Sequence, residues 1–280
     1  MLVMMPEDSL TRPSPFRLTL APDDFFASVE HEEALSRLWY LAEQRAPVGV
    51  LSGISGTGKT FLLHVLAREL SQVGVEAILL DATSLDRHEL LWRIVEAFGL
   101  GPDVEDSPLW LWSRLTDFLE GQKSTGQRLA FMIDHCQTLD PASAHVLRRL
   151  LALSMGCESN VTWIFAIGRS EEHAFLSWLE ESSGLKIDLP IWSSARCDEF
   201  LRWRLARSNY SLPIFTKAAV DRLYTRSRGI PLEICRLADL ALLAGSAEGR
   251  ELIGAETIDC VAQELIRDRE SSRPGTVVFD

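Results

Sequence analysis

Val48-Gly49-Val50-Leu51-Ser52-Gly53-Ile54-Ser55-Gly56-Thr57-Gly58-Lys59-Thr60 reads as a short apolar strand, a glycine-rich turn and the start of a helix that continues from Phe61 to Leu70. Gly53-x4-Gly58-Lys59-Thr60 is the full P-loop pattern, in the strand–loop–helix setting that gives the pattern its meaning. Glycines let the backbone wrap a phosphate so that successive N–H groups point inward. The dipole of the following helix adds positive potential at the same point. The residues Gly53, Ile54, Ser55, Gly56, Thr57, Gly58, Lys59, Thr60 and Phe61 are therefore the expected nucleotide cradle. Within it Lys59 supplies a point charge for the β- and γ-phosphates, and the Thr60 hydroxyl is a Mg²⁺ ligand. All fixed positions and both flanks agree, which sets aside an ordinary glycine turn; this stretch implies binding of a nucleoside triphosphate.

Working outward, 280 residues suit a core domain with a smaller one attached. The 46% hydrophobic and 24% charged content belong to an ordinary globular chain. No apolar run reaches the roughly 18–20 residues of a membrane span, and the start has no signal-peptide pattern, so a cytoplasmic protein is expected. Cys136, Cys157, Cys197, Cys235 and Cys260 are far apart without metal spacing and read as buried free thiols. The net charge of −12 excludes a general nucleic-acid coat protein. That charge is uneven. Residues 1–190 carry 15 basic against 27 acidic side chains, residues 191–245 carry 9 against 5, and residues 246–280 carry 4 against 8. A basic module thus follows an acidic one, as a solvated or inter-domain face or as a binding surface.

Along the chain, residues 1–46 form a leader and a first helix capped by Ser28; Pro15 to Phe26 reads as an irregular clamp. Residues 47–190 alternate strands and helices, which implies a parallel sheet covered on both faces, an α/β class. The strands are the apolar run opening at Val48, then Val75–Leu80, Leu129–Asp134, Val161–Gly168 and Leu185–Leu189. Helices are expected over 86–98, 107–120, 141–155 and 171–181, with Gly121–Gln127 a polar loop; Trp110 and Trp112 read as packing. Leu129-Ala130-Phe131-Met132-Ile133-Asp134 is a buried strand ending in an acid, 75 residues after Lys59, the Walker B arrangement that delivers a Mg²⁺-shell carboxylate to the P-loop edge. Residues 191–266 read as a helical lid with helices over 194–207, 216–227, 231–243 and 255–266, and 267–280 as a flexible tail. Such a lid can convert nucleotide state into motion.

From about Pro15 to Ile266 the chain resembles the AAA+ ATPases of the ExeA/GspA secretion type, related to the MuB/TnsC transposition ATPases. The residues that carry the likeness are the leader Pro15-Phe16, Pro22-Asp23 and Ser28…His31-Glu32-Glu33-Ala34-Leu35, the P-loop, Ile133-Asp134-His135-Cys136-Gln137, and two lid stretches, Ile214–Ala219 and Gly229–Asp239. The resemblance implies a P-loop parallel sheet with a small C-terminal helical lid, ATP over GTP, exchange with ADP, and homo-oligomer assembly through the nucleotide edge. The secretion members carry a membrane span and a periplasmic domain after this core, so with a chain ending at Asp280 the secretion role is expected to pass through a protein partner.

The departures from the family pattern are one-sided. After the Walker B aspartate the family has a glutamate that orients the attacking water; here it is His135, which lacks the carboxylate's charge and shape. The sensor arginine after Gly-Ile-Pro is Leu232, and Lys186 stands where an assembly arginine finger is expected, with the charge but not the bidentate fork. Arg169, at the sensor position after the fourth strand, either contacts the γ-phosphate or pairs with Glu171 or Glu172. Lys59, Asp134, His135 and Arg169 are the candidate catalytic residues, and Thr60 with Asp134 the metal ligands. Binding groups are intact and hydrolysis groups altered, so a slow, ATP-gated assembly or remodelling protein is expected, against a family that tolerates these swaps. DNA association through Arg196, Arg202, Trp203, Arg204 and Arg207 is the alternative from another class, and an adaptor without turnover a third.

Overall fold

The computed structural model describes residues 14–271 apart from 45, 157–159, 170–177, 180–183 and 211–212. It divides into two compact units, one spanning Leu20–Pro190 and one joining the chain up to Thr19 with Ile191 onward. The expected helix over 171–181 lies outside the described residues except for 178 and 179.

In the unit Leu20–Pro190, five strands β1 (Val48–Gly53), β2 (Glu76–Asp81), β3 (Leu129–Asp134), β4 (Val161–Gly168) and β5 (Leu185–Leu189) make a parallel sheet in the order β2-β3-β4-β1-β5. All strands run the same way, so their C-terminal ends share one edge, with Asp81 beside Asp134 and Gly53 between Gly168 and Leu189. The central strands are buried on both faces, which is why β3 and β4 read as continuous apolar runs. Their alternate residues still go to different layers. Phe131, Ile133, Trp163 and Phe165 join Leu90, Ile94, Leu111 and Leu115 of α3 (Arg87–Ala97) and α4 (Pro108–Thr125). Met132 and Ile164 join Leu38, Leu41, Leu62 and Leu66 of α1 (Val29–Glu43) and α2 (Lys59–Gln72). Helix α5 (Pro141–Gly156) packs on α3 and α4. Two expected caps are present, Ser28 Oγ accepting from His31 N and Ser107 Oγ from Trp110 N with Pro108 at N1, and Asp86 with Glu89 closes a capping box. The polar loop expected from Gly121 is instead the last turn of α4, because Leu119 and Gln122 are buried and Gly126, at φ 67°, supplies the left-handed stop five residues later.

The second unit holds α6 (Ser194–Arg207), α7 (Lys217–Ser227), α8 (Pro231–Ala247) and α9 (Ala255–Ser271). Two of these outrun the expectation. Helix α8 continues past Leu243 because Gly245 is where Ile253 packs: a Cβ there would lie 3.0 Å from Ile253 Cγ1. Helix α9 continues through residues 267–271, part of the expected tail. Asp259 of α9 accepts from Arg222 and Arg226 of α7 and ties the two helices together. Phe16 belongs to this unit, 1% exposed, with its ring 6.4 Å from Phe200 and 6.1 Å from Phe215. Cys136, Cys197 and Cys235 are buried free thiols as expected, Cys260 is exposed on α9, contrary to expectation, and Cys157 lies outside the described residues. Among the described residues no helix is long and apolar enough to cross a membrane.

Candidate functional site

The shared strand edge of the unit Leu20–Pro190 carries the candidate site. β1 ends at Gly53, Gly56 and Gly58 take φ of 85° and 100°, and α2 opens at Lys59. Gly58 is required twice over: its left-handed φ disfavours a side chain, and a Cβ would sit 2.9 Å from His31 Nε2. Inside the turn, Thr57 Oγ1 donates to Ile54 O at 2.9 Å. Lys59 is 8% exposed, and its Nζ donates to Gly53 O at 2.9 Å and Ile54 O at 3.0 Å. Burial pulls its pKa below the ordinary lysine value, with nearby Asp134 opposing that shift. Phe61 follows in the first turn, its ring 5.9 Å from Phe25.

Asp134, at the end of β3, is 3% exposed, and both its oxygens are engaged. Thr60 Oγ1 donates to Oδ2 at 2.5 Å and His135 N donates to Oδ1 at 2.8 Å. Residues 74 apart in sequence are thus placed as one hydroxyl–carboxylate pair, a hard-oxygen donor set that fits Mg²⁺. Among the described residues there is no cluster of three or more His, Cys, Asp or Glu that could hold a metal unaided.

His135 adopts φ 58°, a left-handed conformation uncommon for a residue with a side chain. Its ring Nδ1 lies 3.0 Å from Asp81 Oδ1 and 3.7 Å from Asp134 Oδ2. Asp81 also accepts from Thr83 N at 2.9 Å and Thr83 Oγ1 at 2.6 Å. Partial burial works to raise the Asp81 pKa, but the Thr83 and His135 hydrogen bonds together outweigh it and hold the carboxyl below its usual range. Gln137 Oε1 accepts from Gly168 N at 2.7 Å and so links the turn after β3 to the end of β4.

Arg169 follows β4; its N–H donates to Gly53 O at 3.0 Å, and its guanidinium pairs with Asp188 of β5 at 2.9 Å. Glu171 and Glu172, the partners weighed from sequence, lie outside the described residues. Asp188 also accepts from Ser52 Oγ at 3.3 Å. Lys186 is exposed on the edge strand β5, two residues before Asp188. Leu232 stands in the first turn of α8 in the helical unit, half-buried. The arginines of α6 are engaged on their own helix: Arg196 with Glu199, Arg202 with Asp198, and Arg204 and Arg207 against the Trp203 ring at 5.6 and 5.1 Å. A DNA track gains no support from that arrangement.

The site thus brings together Lys59, Thr60, Asp134 and His135, with Arg169 at a neighbouring strand end. Sequence reading missed Asp81, Asp188 and the part played by His31. Asp81 carried a readable signal, an acid closing β2 as Asp134 closes β3. His31 carried only its spacing from the cap Ser28; its contact with Thr57 spans 26 residues.

The family described as AAA domain matches residues 42–175. Over 271 residues the chain is 30% identical to the General secretion pathway protein A of Aeromonas hydrophila, a match that covers 94% of this chain and 49% of that protein. The chain therefore spans about half the length of the relative. Among solved structures it is similar to the Aeropyrum pernix ORC2 protein (TM-score 0.62, 16% identity, covering 89% of this chain and 71% of that one). It is also similar to Cdc6p from Pyrobaculum aerophilum (0.65, 15%, 88% and 68%) and to the Thermotoga maritima RuvB Holliday junction branch migration motor (0.55, 17%, 90% and 73%). At those identities the structural likenesses speak for the fold alone. With an AAA domain on the P-loop sheet, a secretion-pathway relative along nearly the whole chain and this shared fold, the protein belongs to the AAA+ family of P-loop NTPases.

Proposed function

We propose that this chain binds Mg-ATP in the loop Gly53–Thr60 and hydrolyses it slowly, so that its ATP-bound form gates the assembly or remodelling of a protein partner. The likeness to General secretion pathway protein A supports a secretion- or envelope-linked setting, with the protein on the cytoplasmic side and self-assembling through its nucleotide edge. In this reading Lys59 exchanges its two loop carbonyls for phosphate oxygens as substrate enters. Thr60 and Asp134 are the residues that would hold Mg²⁺, which would supply positive charge opposite the β- and γ-phosphates. Arg169, tethered to Asp188 at the end of β4, is set to report on the γ-phosphate side.

The observation that carries the slow-hydrolysis reading is His135, tied through Nδ1 to Asp81 at 3.0 Å in the place of the water-orienting glutamate. A positioned acid–base group is worth about 10²–10⁴ in rate. The test is steady-state turnover of the purified chain with Mg-ATP beside His135→Glu. The expected outcome is a variant at least about tenfold faster, a conservative fraction of that range. Wild type turning over at an ordinary AAA+ rate, with no gain from the glutamate, would defeat the reading.

A further inference from the structure

His31 sits in the first turn of α1, 4% exposed, and is not one of the groups assigned above to phosphate, metal or water. Its ring bridges two places. Nδ1 lies 2.8 Å from Ser28 Oγ, and Nε2 lies 3.0 Å from the carbonyl oxygen of Thr57 in the P-loop. A carbonyl can only accept, so Nε2 carries the proton. Burial favours the neutral ring, so Nδ1 accepts from the Ser28 hydroxyl. The tautomer is therefore fixed by its two neighbours.

The peptide group explains what this achieves. The carbonyl of Thr57 and the N–H of Gly58 belong to one planar trans unit and point in opposite directions. Holding Thr57 O against the α1 side turns the Gly58 N–H the other way, into the concave side of the loop where backbone amides meet phosphate. Gly58 gives that peptide its freedom to rotate, with φ of 100°, and the imidazole removes it. The contact is close enough that no Cβ would fit between ring and loop. Phe25 closes the other side of the ring edge-on at 6.2 Å.

The geometry points to His31 as a positioning residue for phosphate binding: it pre-sets one loop amide from behind, before nucleotide arrives. This rests on the reading of Gly53–Thr60 as the nucleotide loop. The effect should grow with the number of phosphates that reach the loop and vanish for a ligand that does not.

His31→Asn and His31→Gln separate this role from general support of the fold. The asparagine amide falls near the position of Nδ1 and cannot reach Thr57, whereas the glutamine amide falls near Nε2 and can. Dissociation constants for ATP, ADP and AMP are measured on the full chain, with the melting transition without nucleotide recorded alongside. His31→Asn is expected to weaken ATP and ADP about tenfold, the size of one lost buried hydrogen bond. AMP should change less than about twofold, and His31→Gln should restore most of the ATP affinity. Equal losses for all three nucleotides, or glutamine as poor as asparagine, would overturn the assignment. If His31→Asn does not fold, Ser28→Ala carries the test: it removes the hydroxyl that orients Nδ1 and should weaken ATP about threefold, about half the free energy of the full bond, while wild-type affinity would count against the proposal. If wild type binds no ATP, the nucleotide reading itself falls; if wild type binds it and His31→Asn matches, only the role of His31 falls.

Discussion

A P-loop can be recognised from its own residues, but the state it rests in depends on side chains that come from elsewhere. Lys59, Thr60 and Asp134 were legible because their chemistry is bound to a spacing and to the end of an apolar strand. His31 was not, since a helical histidine looks the same in sequence whether or not it reaches a site, and Asp81, though readable as a strand-end acid, has no spacing that ties it to His135. Burial of His31 has a measurable consequence. Desolvation lowers its pKa from the ordinary value of 6.5, with the Thr57 carbonyl and the charge of Glu30 working against the shift. The unfolded chain then binds a proton at a pH where the folded one does not. The associated stability is fully present above about pH 6.5 and is lost as pH falls through the folded-state value. The slope in that window should approach about 1.4 kcal/mol per pH unit. Denaturant unfolding at several pH values between about 7.5 and 5, which brackets that loss, should show wild type losing stability faster than His31→Gln; parallel losses would mean that the folded ring takes up its proton freely. The lowered carboxyls of Asp81 and Asp259 titrate from ordinary values of 3.8 downward and leave that window clear.

Whole elements were more legible than their ends. Five strands and most helix starts follow from apolar runs, alternation and caps at Ser28 and Ser107, because those signals are local. Helix stops proved harder, and glycine is the reason. Gly121 reads as a break, yet α4 runs through it because neighbours Leu119 and Gln122 are buried, and the true stop is Gly126. Gly245, just past the expected end at Leu243, likewise lies within α8, as the gap into which Ile253 fits. A glycine that is there for space differs in its response to substitution from one that is there for φ. Gly245→Ala gains about 1 kcal/mol of helix propensity against a contact that Ile253 can yield slightly, and should be close to neutral. Gly245→Leu overpacks the same spot and should cost about 1–3 kcal/mol in chemical denaturation. Equal tolerance of both would mean that Ile253 is not held against the helix.

At the scale of the whole molecule, the chain does not keep its two units in sequence order. The expected leader is shared out: residues up to Thr19 join the helical unit, while Asp23, paired with Arg68, and Ser28 belong with the P-loop sheet. Composition could not reveal that division, since Pro15-Phe16 is too short to carry a periodicity and its partners, Phe200 and Phe215, stand at the far end of the chain. The packing of one ring, Phe16, accounts for the recruitment. It is almost fully buried against Phe200 and Phe215, and Phe215 in turn bridges Ile253 in a short parallel pairing. Phe16→Ala should therefore destabilise the helical unit by about 3–5 kcal/mol, the range for truncating a buried phenylalanine. Its effect on the sheet unit should be far smaller, because Phe16 takes no part in that unit's core. Hydrogen exchange resolved by segment distinguishes these outcomes, with protection expected to fall in α6, α7 and α9 and to persist in β1, β3 and β4. Uniform loss across both units would mean that they unfold as one cooperative body, and the leader would then be a structural element of the whole chain rather than of its helical part.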